Sequence, residues 1–171
     1  EAVGRARTDS RRSLGAEEGY VAIKVIRNNE AMRKAAAVEL NILKAINAAD
    51  PHDERFCIRL LGQLDHLGHT ALIFPLFSAN LRETLKKFGR GVGINVEAVR
   101  MYGRQLLVAL KLLSDLRVVH SDIKLDNILC SSDLKVVKIC DFGSAFSEDD
   151  SSPNATPYLV SRFYRAPEVI L

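Results

Sequence analysis

No run of apolar residues in this 171-residue chain approaches the roughly 20 that a membrane-spanning helix needs. The longest are a handful of residues, which removes a spanning segment from the reading. No apolar stretch follows the early arginines, so a secretory signal peptide is not expected. Cysteine is scarce: Cys57, Cys130 and Cys140 cannot all pair, none forms C-x-x-C, and each sits in an apolar run. That pattern fits buried thiols in a reducing compartment. Charge of one sign is also lacking. Lys and Arg number 24 against 21 Asp and Glu, a net +3, which does not call for a nucleic acid partner. The one local excess, Arg5, Arg7, Arg11 and Arg12, reads as a solvated arm. No internal repeat is visible.

What is present is ordinary for a folded domain: 47% hydrophobic and 26% charged residues, neither disordered nor collagen-like. The length allows one domain of about 150 residues, or parts of two. The first residue is Glu1 rather than Met, so the chain is expected to be part of a longer product.

Residues 1–19 are polar and read as loop. Tyr20–Ile26 is β-branched and reads as a strand. Asn28-Asn29 offers a cap, and a helix is expected from Glu30 to Ile46, stopped by Asp50-Pro51. Strands are expected near Cys57–Leu61 and Thr70–Leu76, with Gly62 and Gly68 in the turn between them. Asn80 should cap a short helix carrying Leu81, Leu85 and Phe88 on one side. After Gly89, Gly91 and Gly93, a long helix is expected from Val96, with Val96, Val99, Leu106, Leu110 and Leu113 as its apolar face. Short strands follow at Val118-Val119, Ile128-Leu129 and Val136–Cys140, then a loop at Ser147–Thr156. The order predicts an α+β fold of two lobes, the first β-rich with one helix and the second helical. The divisions fall at residues 1–19, 20–77 and 78–171.

Four motifs occur in sequence: Val21-Ala-Ile-Lys24, His120-Ser-Asp122-Ile-Lys124-Leu-Asp-Asn127, Asp141-Phe-Gly143 and Ala166-Pro-Glu168. Asp141 lies nineteen positions after Asp122, and a strand-like run leads into it. Each motif alone is weak; together and in this order they match the protein-kinase signature set. From Tyr20 to Leu171 the chain resembles a protein kinase catalytic domain. Thr156–Glu168 is similar to the activation segment of the CMGC class, with Thr156 and Tyr158 at the places of a T-x-Y pair. Ile26–Glu30, Asn80–Glu83 and Asp141–Ala145 look most like the pre-mRNA-splicing kinase group of that class.

The resemblance implies ATP and Mg²⁺ as cofactors, a protein kinase-like bilobal fold and transfer to Ser/Thr hydroxyls of protein substrates. Lys24 is expected to address the phosphates. Glu39 is the candidate to hold it, with Glu30 as the alternative, although a first-turn acid more naturally favours the helix dipole. Asp141 and Asn127 would supply oxygen ligands to metal. Asp122 would act as base and Lys124 would neutralise the transferred phosphate. Phe74 takes the gatekeeper place, and Pro75-Leu76-Phe77 the hinge, with Leu76 beside the nucleotide. His120 reads as packing near Asp141-Phe-Gly143, Cys140 as buried packing, and Asp126 as a locally bonded or solvated residue. Thr156 and Tyr158 are candidate phosphorylation sites, with Arg162 and Arg165 as partners. The subgroup implies spliceosomal protein partners and a nuclear, otherwise cytoplasmic, location, with no membrane and no direct nucleic acid contact.

The chain departs from the pattern in five places, one of them Leu125 where a Pro is frequent. A G-x-G-x-x-G loop is missing before Lys24, and Val3–Arg7 is expected to be the strand that follows such a loop, with residues 8–19 an enlarged turn. Ser121 replaces the usual Arg, so control through an activation-loop phosphate by that route is not expected. Pro75 offers no N–H at the hinge. The chain ends three residues past Glu168, so the fold is expected to be truncated, leaving apolar faces of Val96–Leu113 and Val169–Leu171 exposed. These departures motivate the alternative of a non-catalytic, truncated kinase-like regulatory or binding module. A basic RNA-binding protein rests on the four early arginines alone.

Overall fold

The computed structural model describes residues 2–4, 13–149 and 161–170. The early arginines Arg5, Arg7, Arg11 and Arg12, the phosphorylation candidates Thr156 and Tyr158, and residues 8–12 of the turn expected at 8–19 lie outside them.

The first half is a four-stranded antiparallel sheet, β1 (Ala2–Gly4), β2 (Val21–Val25), β3 (Gly62–His66) and β4 (His69–Pro75), in the order β1-β2-β4-β3. Between β2 and β3 the chain forms α1 (Glu30–Ala49), whose N-cap Asn29 accepts a hydrogen bond from the Met32 N–H. Helix α1 buries Ala36, Glu39, Ile42, Leu43 and Ile46, which recur at helical spacing. Asp50 ends it, and its carboxylate accepts from the Glu54 and Arg55 N–H groups.

The second half opens with β5 (Ala79–Asn80) and α2 (Leu81–Phe88), where Asn80 and Glu83 form a reciprocal capping box. Then come α3 (Val96–Asp115), β6 (Val118–Val119), a 3₁₀ turn at Leu125–Asn127, β7 (Ile128–Cys130), β8 (Val137–Ile139), β9 (Phe146–Ser147) and the short α4 (Pro167–Ile170). Strands β5, β7 and β8 form one small sheet, and β6 pairs with β9. The principal core crosses both halves. It runs from Leu43 and Ile46 through Ile58 and Leu72 to Ala109, Leu113, Ile139 and Phe142. No helix among the described residues is long and apolar enough to cross a membrane.

Several expectations are corrected. Cys57–Leu61 is not a strand, and the strand is β3, beginning at Gly62. The turn is therefore Leu67-Gly68, without Gly62. The apolar run 57–61 crosses the core as irregular chain. Its backbone is satisfied by Asn47, whose amide donates to the Leu60 carbonyl at 2.8 Å and accepts the Leu60 N–H at 3.2 Å, and by exchange with Ile139. Helix α2 buries Leu81 and Thr84, while Phe88 is exposed. The buried residues of α3 are Tyr102, Ala109, Leu112 and Leu113; Val96, Val99 and Leu110 face outward. The helix has two apolar faces, and the one against β8 and β7 is the one covered.

Within the stretch 1–19, the described residues 2–4 and 13–19 are more structured than a loop. Beyond β1, the Ser13–Gly19 segment passes over the β4 end, where the Glu17 N–H donates to the Leu76 carbonyl at 2.7 Å. Gly15 (φ +82°) lets it approach β8's neighbour Val136: a Cβ there would lie 2.9 Å from the Val136 Cβ. Ser13 is buried, donating to Asp53 Oδ2 at 2.6 Å and accepting from Lys138 Nζ at 3.3 Å.

Candidate active site

Lys24 sits in mid-strand β2, on the face that meets α1. Its ammonium donates to both carboxylate oxygens of Glu39, at 2.7 and 3.0 Å, and to Asp141 Oδ1 at 2.9 Å. The structure thus selects Glu39 over Glu30, which pairs instead with Lys34 one turn on. Glu39 is almost fully buried, so its charge finds its compensation in Lys24. Burial pushes the Lys24 ammonium down. The Glu39 hydrogen bond and charge, followed by Asp141, outweigh it, and the group titrates above its ordinary value. Asp141 is likewise pushed up by burial, but Lys24 pulls it below the usual carboxylate range. Asp141 has φ +62°, a left-handed conformation that aspartate tolerates better than most residues. Gly143 keeps the cluster tight: a Cβ there would lie 3.3 Å from Asp141 Oδ1 and 3.4 Å from Lys24 Nζ.

The second cluster lies on the loop between β6 and β7. Lys124 Nζ donates to Asp122 Oδ2 at 2.6 Å, and the Asn127 amide donates to the Asp122 carbonyl and Oδ2 at 2.9 and 3.0 Å. Burial pushes Asp122 up; the bonds from Lys124, Ser161 and Asn127 reverse this and hold it below its ordinary value. His120 connects the two clusters. Its Nε2 contacts the Cys140 carbonyl at 3.0 Å and its Nδ1 accepts the Asp122 N–H at 3.2 Å, which fits the neutral Nε2–H form. The ring meets Phe142 edge-on at 4.9 Å, the packing expected of it. Desolvation dominates and lowers its pKa, against the opposing pull of the Cys140 carbonyl and the two aspartates.

A cavity of about 370 Å³ joins these parts. Ala22, Phe74, Leu76 and Leu129 form an apolar slot, and Lys24, Glu39, Asn127 and Asp141 line its polar end. Asp122 and Lys124 do not line it; they stand behind Asn127, which does. Leu76 lines the slot, but its carbonyl is committed to Glu17. A larger depression of about 790 Å³, between Ser13–Tyr20 and His52–Glu54, shares only Pro75 with this cavity and holds none of the charged cluster.

Cys140 is half-buried: it packs against the principal core and also lines the cavity. One reading needs correction. Asp126 is neither local nor free: its Oδ1 accepts from Arg82 Nε of α2 at 2.6 Å, and Arg82 also reaches the Tyr164 hydroxyl at 3.2 Å. Sequence reasoning missed Ser161. Its hydroxyl donates to Asp122 Oδ1 at 2.7 Å and accepts from Lys124 at 3.2 Å. It was visible only as one hydroxyl in the Ser161–Glu168 run.

A lysine–glutamate pair linking strand to helix, a carboxylate–lysine–asparagine loop and an Asp-Phe-Gly turn gather around one slot. The chain belongs to the protein kinase domain family, which matches residues 12–171. It is 49% identical over 150 residues to the serine/threonine-protein kinase prp4 of Schizosaccharomyces pombe, covering 88% of this chain and 31% of that protein. It is 39% identical over 153 residues to the serine/threonine-protein kinase prpf4B of Dictyostelium discoideum, covering 88% and 19%. A dual specificity protein kinase YAK1 homolog of Arabidopsis thaliana is 37% identical over 155 residues, covering 89% and 16%. The chain thus spans less than a third of the length of these relatives. Members of the family generally use ATP and Mg²⁺.

Proposed function

We propose that the protein containing this chain transfers the γ-phosphoryl group of Mg-ATP to serine and threonine hydroxyls of protein substrates. One observation carries the reading: Lys24, Glu39 and Asp141 at the polar end of an apolar slot, joined through Asn127 to Asp122 and Lys124.

The residues fit the cofactors. The apolar slot, with Phe74 and Leu76 in its wall, suits a flat base, and the adjoining lysine suits its phosphates. Both Asn127 amide hydrogen bonds go to Asp122, which leaves Oδ1 as its donor oxygen, and half of the Asp141 side-chain surface is exposed. These are the hard oxygens Mg²⁺ prefers. No group of three or more His, Cys, Asp or Glu forms a metal cage among the described residues, so water and phosphate would complete the shell, as is usual for this ion.

Mg-ATP, when bound, supplies the phosphoryl group and neutralises its developing charge. The chain positions the reactants and takes up the proton that the nucleophile loses. Lys24, held charged by Glu39, anchors the phosphates. Asp122 is ionised at neutral pH and accepts the proton of an incoming hydroxyl; the hydrogen bond its Oδ1 accepts from the Ser161 hydroxyl supports that reading. Lys124, bound to the same carboxylate, meets the charge that the transfer creates.

The test is γ-phosphate transfer by the full protein. Asp122→Asn should lower it by about 10²–10⁴-fold while Mg-ATP still raises the melting temperature. Unchanged transfer would remove Asp122 from the mechanism. Nucleotide binding without any transfer by the unaltered protein would support the non-catalytic alternative. Spliceosomal protein substrates and a nuclear location belong to the same proposal, supported by the resemblance to the splicing-kinase group. Imaging of the tagged full protein outside the nucleus alone would overturn the location.

A further inference from the structure

Arg82 closes a ring of contacts around Asp122. On one side of that carboxylate stands Asn127, whose amide donates to Oδ2 at 3.0 Å. On the other stands Ser161, whose hydroxyl donates to Oδ1 at 2.7 Å. Asn127 ends the 3₁₀ turn Leu125–Asn127. Ser161 precedes a second 3₁₀ turn, Arg162–Tyr164, and its carbonyl accepts the Tyr164 N–H at 2.8 Å. Arg82 holds both turns from outside. Its Nε donates to Asp126 Oδ1 at 2.6 Å, and its Nη2 donates to the Tyr164 hydroxyl at 3.2 Å. The path from Asp122 through Asn127, Asp126, Arg82, Tyr164 and Ser161 thus returns to Asp122.

Two observations indicate that Arg82 serves this ring rather than its own helix. It lies in the first turn of α2, where the positive end of the helix dipole disfavours a cation. The neighbouring Glu83 is the residue that this terminus uses, in the capping box with Asn80. The ion pair is also a weak source of stability. The Arg82 and Asp126 side chains are each 39% exposed, and pairs so open to solvent contribute little. The guanidinium fork nevertheless reaches two partners from two separate segments, which a single ammonium could not hold in the same way.

We infer that Arg82 is a positioning residue for the phosphoryl transfer proposed above. By holding Asp126 and Tyr164, it keeps Asn127 and Ser161 on the two sides of Asp122 and so keeps the base aimed at the incoming hydroxyl. Arg82 does not line the slot; it acts through these residues. The role rests on the proposed activity, and one arm of its test is independent of activity.

The test uses the full protein with Mg-ATP and myelin basic protein as the acceptor. Alanine is the better helix former, so Arg82→Ala leaves α2 secure. It should lower kcat by about 10- to 100-fold. KM for Mg-ATP and the rise in melting temperature with Mg-ATP should stay as they are. Tyr164→Phe should also lower kcat, and adding it to Arg82→Ala should lower kcat no further, because the ring is already open. Amide exchange supplies the independent arm: the Tyr164 N–H should exchange faster in Arg82→Ala. An unchanged kcat in Arg82→Ala, single-variant losses that add in full, or unchanged exchange at Tyr164 would each overturn the role while leaving phosphoryl transfer standing. Loss of Mg-ATP protection together with kcat would make Arg82 a merely structural residue and overturn it as well. No transfer by the unaltered protein would overturn both the activity and the role.

Discussion

Lys138 has no exposed surface, and its ammonium lies 2.6 Å from Asp53 Oδ1, a residue 85 positions earlier in the chain. Asp53 in turn holds the Ser13 hydroxyl and the Leu14 N–H through Oδ2. One buried ion pair thus fastens β8, the loop after α1 and the Ser13–Gly19 segment to each other. Burial pushes the Lys138 ammonium below its ordinary pKa, with the charge of Asp53 opposing it.

Removing one partner should cost far more than removing both. Asp53→Asn keeps a side chain that tolerates the left-handed backbone at φ +61°, yet strands a buried cation. It should destabilise by about 3–5 kcal/mol, whereas Asp53→Asn combined with Lys138→Met should recover much of that loss. Urea melts of the four members of the cycle measure the coupling. A double variant as unstable as the sum of the singles would show that the pair is not coupled.

Lys24 is the one cation between two carboxylates. Lys24→Met should leave Glu39 buried without a partner and release Asp141 upward toward the usual carboxylate range. The expected result is loss of Mg-ATP protection in thermal melts and at least a 100-fold fall in phosphoryl transfer. Lys24→Arg keeps the charge but not the compact head, so it should restore stability better than transfer. Nucleotide protection undiminished in Lys24→Met would place the phosphates elsewhere.

The contrast between these two lysines explains what could be read in advance. Lys24, Asp122, Asn127 and Asp141 lie in short motifs whose chemistry is local, and Glu39 is one helical segment away from Lys24, so their grouping was legible. Lys138, Asp53 and Ser13 are far apart in sequence, share no period and meet only through tertiary packing. The Arg82–Asp126 pair is hidden for the same reason. Secondary structure failed where burial and pairing part company. Residues 57–61 are apolar because they cross the core, not because they pair. Strand β3 is exposed after its first residue and carries no apolar alternation. On α3 two apolar faces compete, and periodicity alone cannot say which one the fold covers.

His120 makes a prediction with a definite sign. Its folded pKa is depressed, so the unfolded chain takes up a proton that the folded one refuses as pH falls below about 6.5. Stability contributed by the neutral ring is complete above that value and is lost as pH falls through the folded pKa. Asp122 and Asp141 are depressed carboxylates and act the same way, but only below about 4. The urea midpoint should therefore drop between pH 7.5 and 5.5 in the unaltered chain. The drop should be smaller in His120→Phe, which keeps a ring against Phe142 but has no proton to gain. A midpoint independent of pH over this range would remove His120 as its source.

Ser161 reports on the base itself. Its hydroxyl is one of the donors that hold Asp122 below the ordinary carboxylate range, after the bond from Lys124. Ser161→Ala removes that donor and should move the acid limb of the pH–rate profile for phosphoryl transfer to higher pH. The rate at neutral pH should change less, because Lys124 and Asn127 still keep Asp122 ionised there. Ser161→Thr retains a hydroxyl and should return the limb to its original position. A merely structural role would lower the rate at every pH equally, and an acid limb that does not move in Ser161→Ala would assign it that role. The same profile separates Ser161 from Lys124, whose replacement by Met removes both a hydrogen bond to Asp122 and the neighbouring charge, and should shift the limb further in the same direction.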